Sequence, residues 1–232
     1  MIYCISDIHG EYDRYQRMLN RIRFRPEDTL FVLGDVVDRG PKPMAVLLDM
    51  MVRPNVFPLI GNHEYMALQC LELLMTEITE ASLAQFDEDM LQSLMDWMNI
   101  GGVTTIEDFR RLSAEEKYAV IDYLGEFTAY EEVTAGGNNY VLVHAGLENF
   151  APEKSLEEYR FYELIFAAPD HSRVYYPDKY LVTGHMPTRN IPENPNPDRI
   201  FRANNHIAID CGCGFGGPLA AICLDTGEEF YV

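Results

Sequence analysis

The chain has 232 residues, 47% of them hydrophobic, enough for one large α/β domain or two small ones with a sizeable core. Its 18 Lys and Arg stand against 37 Asp and Glu, a net charge of −19 that works against nucleic acid or anionic membranes as partners, since both are held by cationic side chains. Five cysteines without a CxxC pair argue against a disulfide framework, and no secretory signal or membrane span is visible, so the expected location is the reducing cytoplasm.

Ile2 to Ile5 is a short apolar run that stops at Ser6-Asp7 and reads as a buried strand. A polar helix is expected from Glu11 to about Arg23. Leu30 to Leu33 is the second strand, closed by Gly34-Asp35, and Pro41 and Pro43 sit where a helix can begin. Val56 to Ile60 is the third, closed by Gly61-Asn62. Three strand–helix alternations predict an α/β sheet that is parallel at its start.

From about Tyr65 to Phe127 the pattern turns helical. Leu91, Leu94, Met95 and Met98 recur at helical spacing, a stripe expected in the core. Gly101-Gly102 separates two helices, and Ser113 to Glu116 has the form of a capping box, opening a helix to about Leu124. We read residues 65–130 as a helical insertion on a single domain spanning 1–232. Strands return at Tyr140–Val143, which runs into His144, and at Tyr180–Thr183, which runs into Gly184-His185. His206–Ile209, Leu219–Leu224 and Phe230–Val232 follow, with separations that predict an antiparallel or mixed second half.

One pattern recurs: an apolar strand stops and the next residues are Asp, His or Asn. The five ends carry Asp7/His9, Asp35/Asp38, Asn62/His63, His144 and His185. Strand carboxyl ends in α/β sheets share an edge where ligands bind, so these ends are expected to converge. Their carboxylate, amide and imidazole donors suit manganese, iron or zinc better than calcium. A lone Asp-x-His or a lone histidine signifies little. Gly34-Asp35-Val36-Val37-Asp38-Arg39-Gly40 followed by Gly61-Asn62-His63-Glu64 is much harder to explain by packing.

These blocks, with Asp7-Ile8-His9-Gly10, resemble the signature segments of the PPP-type phosphatases in the calcineurin-like metallophosphoesterase superfamily. That group includes bacterial serine/threonine protein phosphatases and symmetrical diadenosine tetraphosphate hydrolases. His144-Ala145-Gly146 and Gly184-His185-Met186-Pro187 are similar to the family's later histidine blocks, and Trp97–Gly102 and Ile209–Gly212 to further segments. The resemblance implies two mixed β-sheets packed as a sandwich and flanked by helices. It also implies two divalent ions, one held by Asp7, His9 and Asp35, the other by Asp35, Asn62, His144 and His185, with a hydroxide bridging them as the in-line nucleophile. His63 would be the general acid, Asp38 its support, and Arg39 a phosphate ligand alongside Asn62.

One departure stands out. A second phosphate-binding arginine is usual between the two late histidines, but Glu163–Pro169 contains none. Arg160 and Arg173 lie close in sequence, and Arg173 is the expected substitute. The activity implied is hydrolysis of a phosphate monoester, first of a phosphoserine or phosphothreonine protein. The alternatives are a dinucleoside polyphosphate and, as a different class, an inactive metal-binding scaffold for phosphorylated partners.

Overall fold

The computed structural model describes residues 1–75 and 88–232. Five apolar segments make the first sheet, in the order β10-β9-β1-β2-β3. They are β1 (Ile2–Ile5), β2 (Thr29–Leu33), β3 (Val56–Leu59), β9 (Ala220–Cys223) and β10 (Glu229–Tyr231). β1, β2 and β3 run parallel, with Ile2 opposite Thr29 and Leu30 opposite Val56, and β9 and β10 close the other side antiparallel. The parallel part needs crossovers. These are the helices α1 (Tyr12–Arg21) and α2 (Pro43–Met51), which bury Tyr15, Met18, Val46 and Leu47 against Ile5, Leu30 and Val32.

The second sheet has the order β4-β5-β6-β8-β7. It comprises β4 (Tyr130–Ala135), β5 (Asn138–Val143), β6 (Tyr180–Thr183), β7 (Phe201–Ala203) and β8 (His206–Ala208). β5, β6 and β8 are parallel, while β4 and β7 form antiparallel pairs at the two edges, so the sheet is mixed as expected. Side chains alternate across each strand. Cys4, Phe31 and Leu33 of the first sheet therefore meet Leu142, Val182 and Ile207 of the second in one apolar layer. Both parallel sets point their carboxyl ends to the same end of the sandwich.

Between β3 and β4 lie α3 (Asn62–Met75), α4 (Glu88–Trp97), α5 (Val103–Arg110) and α6 (Ala114–Gly125). The capping box is present at α6: Ser113 Oγ accepts from the Glu116 N–H, and the Glu116 carboxylate accepts from the Ser113 N–H. The α4 stripe departs from expectation. Leu91, Met95 and Met98 are about half exposed, Leu94 is half-buried, and Trp97 is the side chain that α4 commits to the core. The spacing fixes which residues share a face, but the face turned inward is the one that brings Trp97 to Asp38. Among the described residues no helix is long and apolar enough to cross a membrane.

Candidate metal centre and active site

The strand ends deliver their side chains through unusual backbone. Asp7, His9, Asp35, Asp38, Arg39 and His185 all have positive φ, between 46° and 71°. For residues with a Cβ each such turn costs about 1–3 kcal/mol unless its surroundings enforce it. Glu64, on the first turn of α3, supplies much of that enforcement. Its buried carboxylate accepts from the N–H groups of Asp35 (2.7 Å), Val36 (2.8 Å), Val37 (3.1 Å) and Gly61 (2.9 Å). Burial, joined by the charge of Asp35, lifts its pKa to about 7 against the pull of those donors.

Asp35 is the hub. Its Oδ1 lies 3.3 Å from His144 Nε2, and its Oδ2 lies 3.7 Å from His9 Nε2 and 3.8 Å from His63 Nε2. Asn62 Oδ1 is 3.0 Å from both His144 Nε2 and His185 Nδ1. Asp7 Oδ1 stands 4.0 Å from His9, while its other oxygen accepts from Ser6 and from the His185 N–H. Asp7, His9, Asp35, Asn62, His144 and His185 thus gather at one end of the sandwich. Among the described residues, two groups with ligand atoms within 4.8 Å of one another could hold a cation, His9/Asp35/His63 and Asp35/His144/His185, and Asp35 belongs to both.

The donor chemistry fits metal ions. His9 and His144 each donate Nδ1–H to a carbonyl, of Val37 at 2.9 Å and Leu33 at 2.7 Å, which turns the lone pair of Nε2 inward. His144 Nε2 then faces two acceptors, Asn62 Oδ1 and Asp35 Oδ1, at 3.0 and 3.3 Å. Acceptors repel at that range unless a positive charge lies among them. Protonation is a poor source of that charge, because burial lowers the pKa of His144, that of His9 to about 3 and that of His185 to about 4. Burial and the neighbouring Asp210 and Asp35 hold Asp7 well above the usual carboxylate range.

His63 is set differently. Its Nδ1 bonds Asp38 Oδ2 at 2.5 Å, leaving Nε2 3.0 Å from the Arg39 guanidinium, which also reaches His9. Asp38 is fully buried and is gripped by Trp97 Nε1 (2.8 Å) and Thr105 Oγ1 (2.5 Å). Both grips come from the helices between β3 and β4. The kink at Gly101, φ 125°, swings α5 round so that Thr105 arrives and the Gly101 carbonyl accepts from the Arg39 N–H.

A pocket of about 280 Å³ opens on this cluster, lined by Asp35, Arg39, Asn62, His63 and His185 and beyond them by Arg189 and Phe215. Arg173 is not brought there: its guanidinium lies over Phe150 and Tyr175. Arg160 does not line it either, and stands at the start of α7 (Phe161–Ile165). The further cation in the lining is Arg189, four residues past His185, and no strand-end pattern marks it. Asp210 lies in the Ile209–Gly212 segment that resembles the family, where the motifs assign it no role. It is buried, and burial with the charge of Asp35 lifts its pKa to about 7. Trp97, which heads the Trp97–Gly102 segment, and Thr105 show their contacts with Asp38 only once α4 and α5 fold back.

With this geometry in hand, the chain matches the calcineurin-like phosphoesterase family over residues 1–212 and belongs to that family, whose members are metal-dependent phosphoesterases. It is 32% identical to the symmetrical bis(5'-nucleosyl)-tetraphosphatase of Dechloromonas aromatica, covering 99% of this chain and 95% of the relative. It is 30% identical to the enzyme of the same name in Acidovorax ebreus, but there the match covers 86% of this chain and only 62% of the relative, so this chain spans less than two thirds of that protein. Serine/threonine-protein phosphatase 2 of Escherichia coli is 32% identical over 62% of the chain and 57% of its own length. Among solved structures, one described as a candidate diadenosine tetraphosphatase superposes with a TM-score of 0.68 at 18% identity, covering 100% of this chain and 92% of that one. A protein serine/threonine phosphatase from Saccharomyces cerevisiae gives 0.59 at 15% identity, covering 95% and 71%. At such identities these two speak for the fold.

Proposed function

We propose that the protein hydrolyses dinucleoside tetraphosphates, adding water at the central phosphoanhydride so that each half leaves as a nucleoside diphosphate. The observation that carries the chemistry is the convergence of Asp7, His9, Asp35, Asn62, His144 and His185 beside the His63–Asp38 pair. The names borne by relatives of near-equal length support the substrate. A phosphoserine or phosphothreonine protein, the first reading from the motifs, becomes the second, because its named relative matches a smaller part of the chain.

Two divalent ions, manganese in our reading and iron or zinc as the other fits, supply an activated water and neutralise phosphoryl charge when bound. Asp35 is positioned to serve both, with Asp7 and His9 on one side and Asn62, His144 and His185 on the other. Arg39 presents its planar fork to phosphate oxygens, and Asn62 adds its amide. His63 would carry a proton at Nε2 to a leaving oxygen once substrate phosphate draws the Arg39 guanidinium off that nitrogen, while Asp38 fixes the ring through Nδ1. Five buried cysteines without a disulfide accord with a cytoplasmic setting.

The test is product analysis. Manganese-loaded protein incubated with diadenosine tetraphosphate is expected to yield ADP alone. Equal AMP and ATP would mean a different bond is cut, and turnover of a phosphopeptide with none of the dinucleotide would move the assignment to protein phosphatase.

A further inference from the structure

The pocket has an outer wall that the metal donors do not explain. It is formed by Pro187, Arg189, Asn190 and Phe215. Phe215 ends the short turn Cys213–Phe215 and is 55% exposed. The turn that carries it is tightly held. The Gly212 carbonyl accepts from the N–H groups of Phe215 (2.9 Å) and Gly217 (2.8 Å), and Cys213 is buried with its thiol against the Ile8 carbonyl. Gly214 rests on the His9 imidazole, where a Cβ would collide with the ring. Gly212, at φ 81°, leaves the space that the Arg189 guanidinium occupies, 2.9 Å from where a Cβ would stand. The turn is therefore wedged between a metal donor and a cation, and the aromatic ring is what it presents at the rim.

The ring also has a defined relation to the chemistry. The Arg39 guanidinium carbon lies 4.3 Å from the Phe215 centroid, and the same guanidinium is 3.0 Å from His63 Nε2. Phe215 is thus one arginine away from the proton donor, in the lining of the same pocket. Arg189 is held through Nε by Asp198 at 2.5 Å, which leaves terminal N–H groups for another anion. An aromatic face bordered by two guanidiniums matches a ligand that carries a flat ring and several phosphates.

Resting on the proposed function, we infer that Phe215 stacks on a nucleobase of the substrate and that Arg189 binds a phosphate between that base and the bond being cut. Arg189 would then supply the second phosphate-binding cation that Arg173 does not. A phosphopeptide offers no flat ring at that distance from its phosphate as a constant feature.

The experiment uses turnover of p-nitrophenyl phosphate by the manganese-loaded full chain, with ADP or pyrophosphate as inhibitor. Base–aromatic stacking is worth a factor of about 10 or more in affinity. Phe215→Ala is expected to raise the ADP inhibition constant about ten-fold and that of pyrophosphate less than about two-fold, and Phe215→Trp to restore ADP inhibition. Arg189→Gln is expected to weaken both inhibitors. An unchanged ADP constant in Phe215→Ala, or an equal rise for pyrophosphate, overturns the base platform, and unchanged constants in Arg189→Gln overturn the phosphate contact. Failure of the unmodified protein to split diadenosine tetraphosphate is a separate result. It would sink the proposed substrate while the ADP–pyrophosphate difference still decided the platform.

Discussion

The imidazole of His63 gives one nitrogen to Asp38 and turns the other into the pocket, so its charge state decides what it can do. Burial opposes the charged form, but Asp35 and the hydrogen bond and charge of Asp38 outweigh it, and the pKa rises above the ordinary 6.5. A proton donor is competent below its own pKa. Turnover of an alkyl phosphate, whose leaving oxygen needs that proton, is therefore expected to fall as pH climbs through the raised value. Asp38→Asn removes part of what raises it, so the fall should begin at lower pH, and superimposable profiles of kcat/KM against pH would contradict the pairing. His63→Ala should cost about 10²–10⁴-fold on an alkyl phosphate and much less on p-nitrophenyl phosphate, whose leaving group is a weak base. Equal losses on both would mean that His63 does something other than donate.

At the scale of elements, the centre depends on loops held in shape by groups that never face the pocket. Glu64 ties the loop after β2 to the start of α3 through four backbone donors. Glu64→Ala strands those N–H groups, and a loss of about 3 kcal/mol or more in denaturant unfolding is expected, together with a manganese affinity lower by about 10–100-fold. Full stability with unaltered metal binding would refute this role. At α7, Glu163 accepts from the Arg160 N–H, Asn149 and Lys154, and its pKa drops to about 2. Its folded pKa lies below the unfolded 4.5, so its stabilisation is complete above pH 4.5 and fades as pH falls toward 2. Glu163→Gln should flatten the acid limb of stability in that window, and an acid transition identical to that of the unmodified chain would count against it.

The same scale explains what could be read in advance. β1, β2, β6 and the last four residues of β5 are almost wholly buried, so they appear as apolar runs that stop just before the residues that carry chemistry; β3, an edge strand with Phe57 exposed, is apolar enough to show the same signal. β4 reads Tyr-Glu-Glu-Val-Thr-Ala, an edge strand only partly buried, and its charged residues hide it. β7 is three residues long, at the opposite edge. Ligands adjacent to strand ends were legible because the peptide that ends a strand also aims them. Trp97 and Asp210 lie in segments that resemble the family, but their place at the centre, like that of Thr105 and Arg189, comes from tertiary folding that local pattern does not show. Closeness in sequence and a Ser-Arg-Val stretch after a turn single out Arg173, whereas Phe150 and Tyr175 draw it to a different surface.

For the whole molecule, two sheets with their parallel sets aligned bring donors as far apart as Asp7 and His185 to one carboxylate. Asp35 is buried close to Asp7 and Asp210, whose charged forms burial disfavours, in a chain that already carries −19. Cations offset that burden, so metal should act on both folding and activity. The most direct measurement is therefore metal content. Chelated protein titrated with manganese, read by calorimetry and by elemental analysis after gel filtration, should take up two ions per chain, and Asp35→Asn should retain fewer than two. A single ion, none, or a stoichiometry indifferent to Asp35 would contradict a shared centre built from these strand ends.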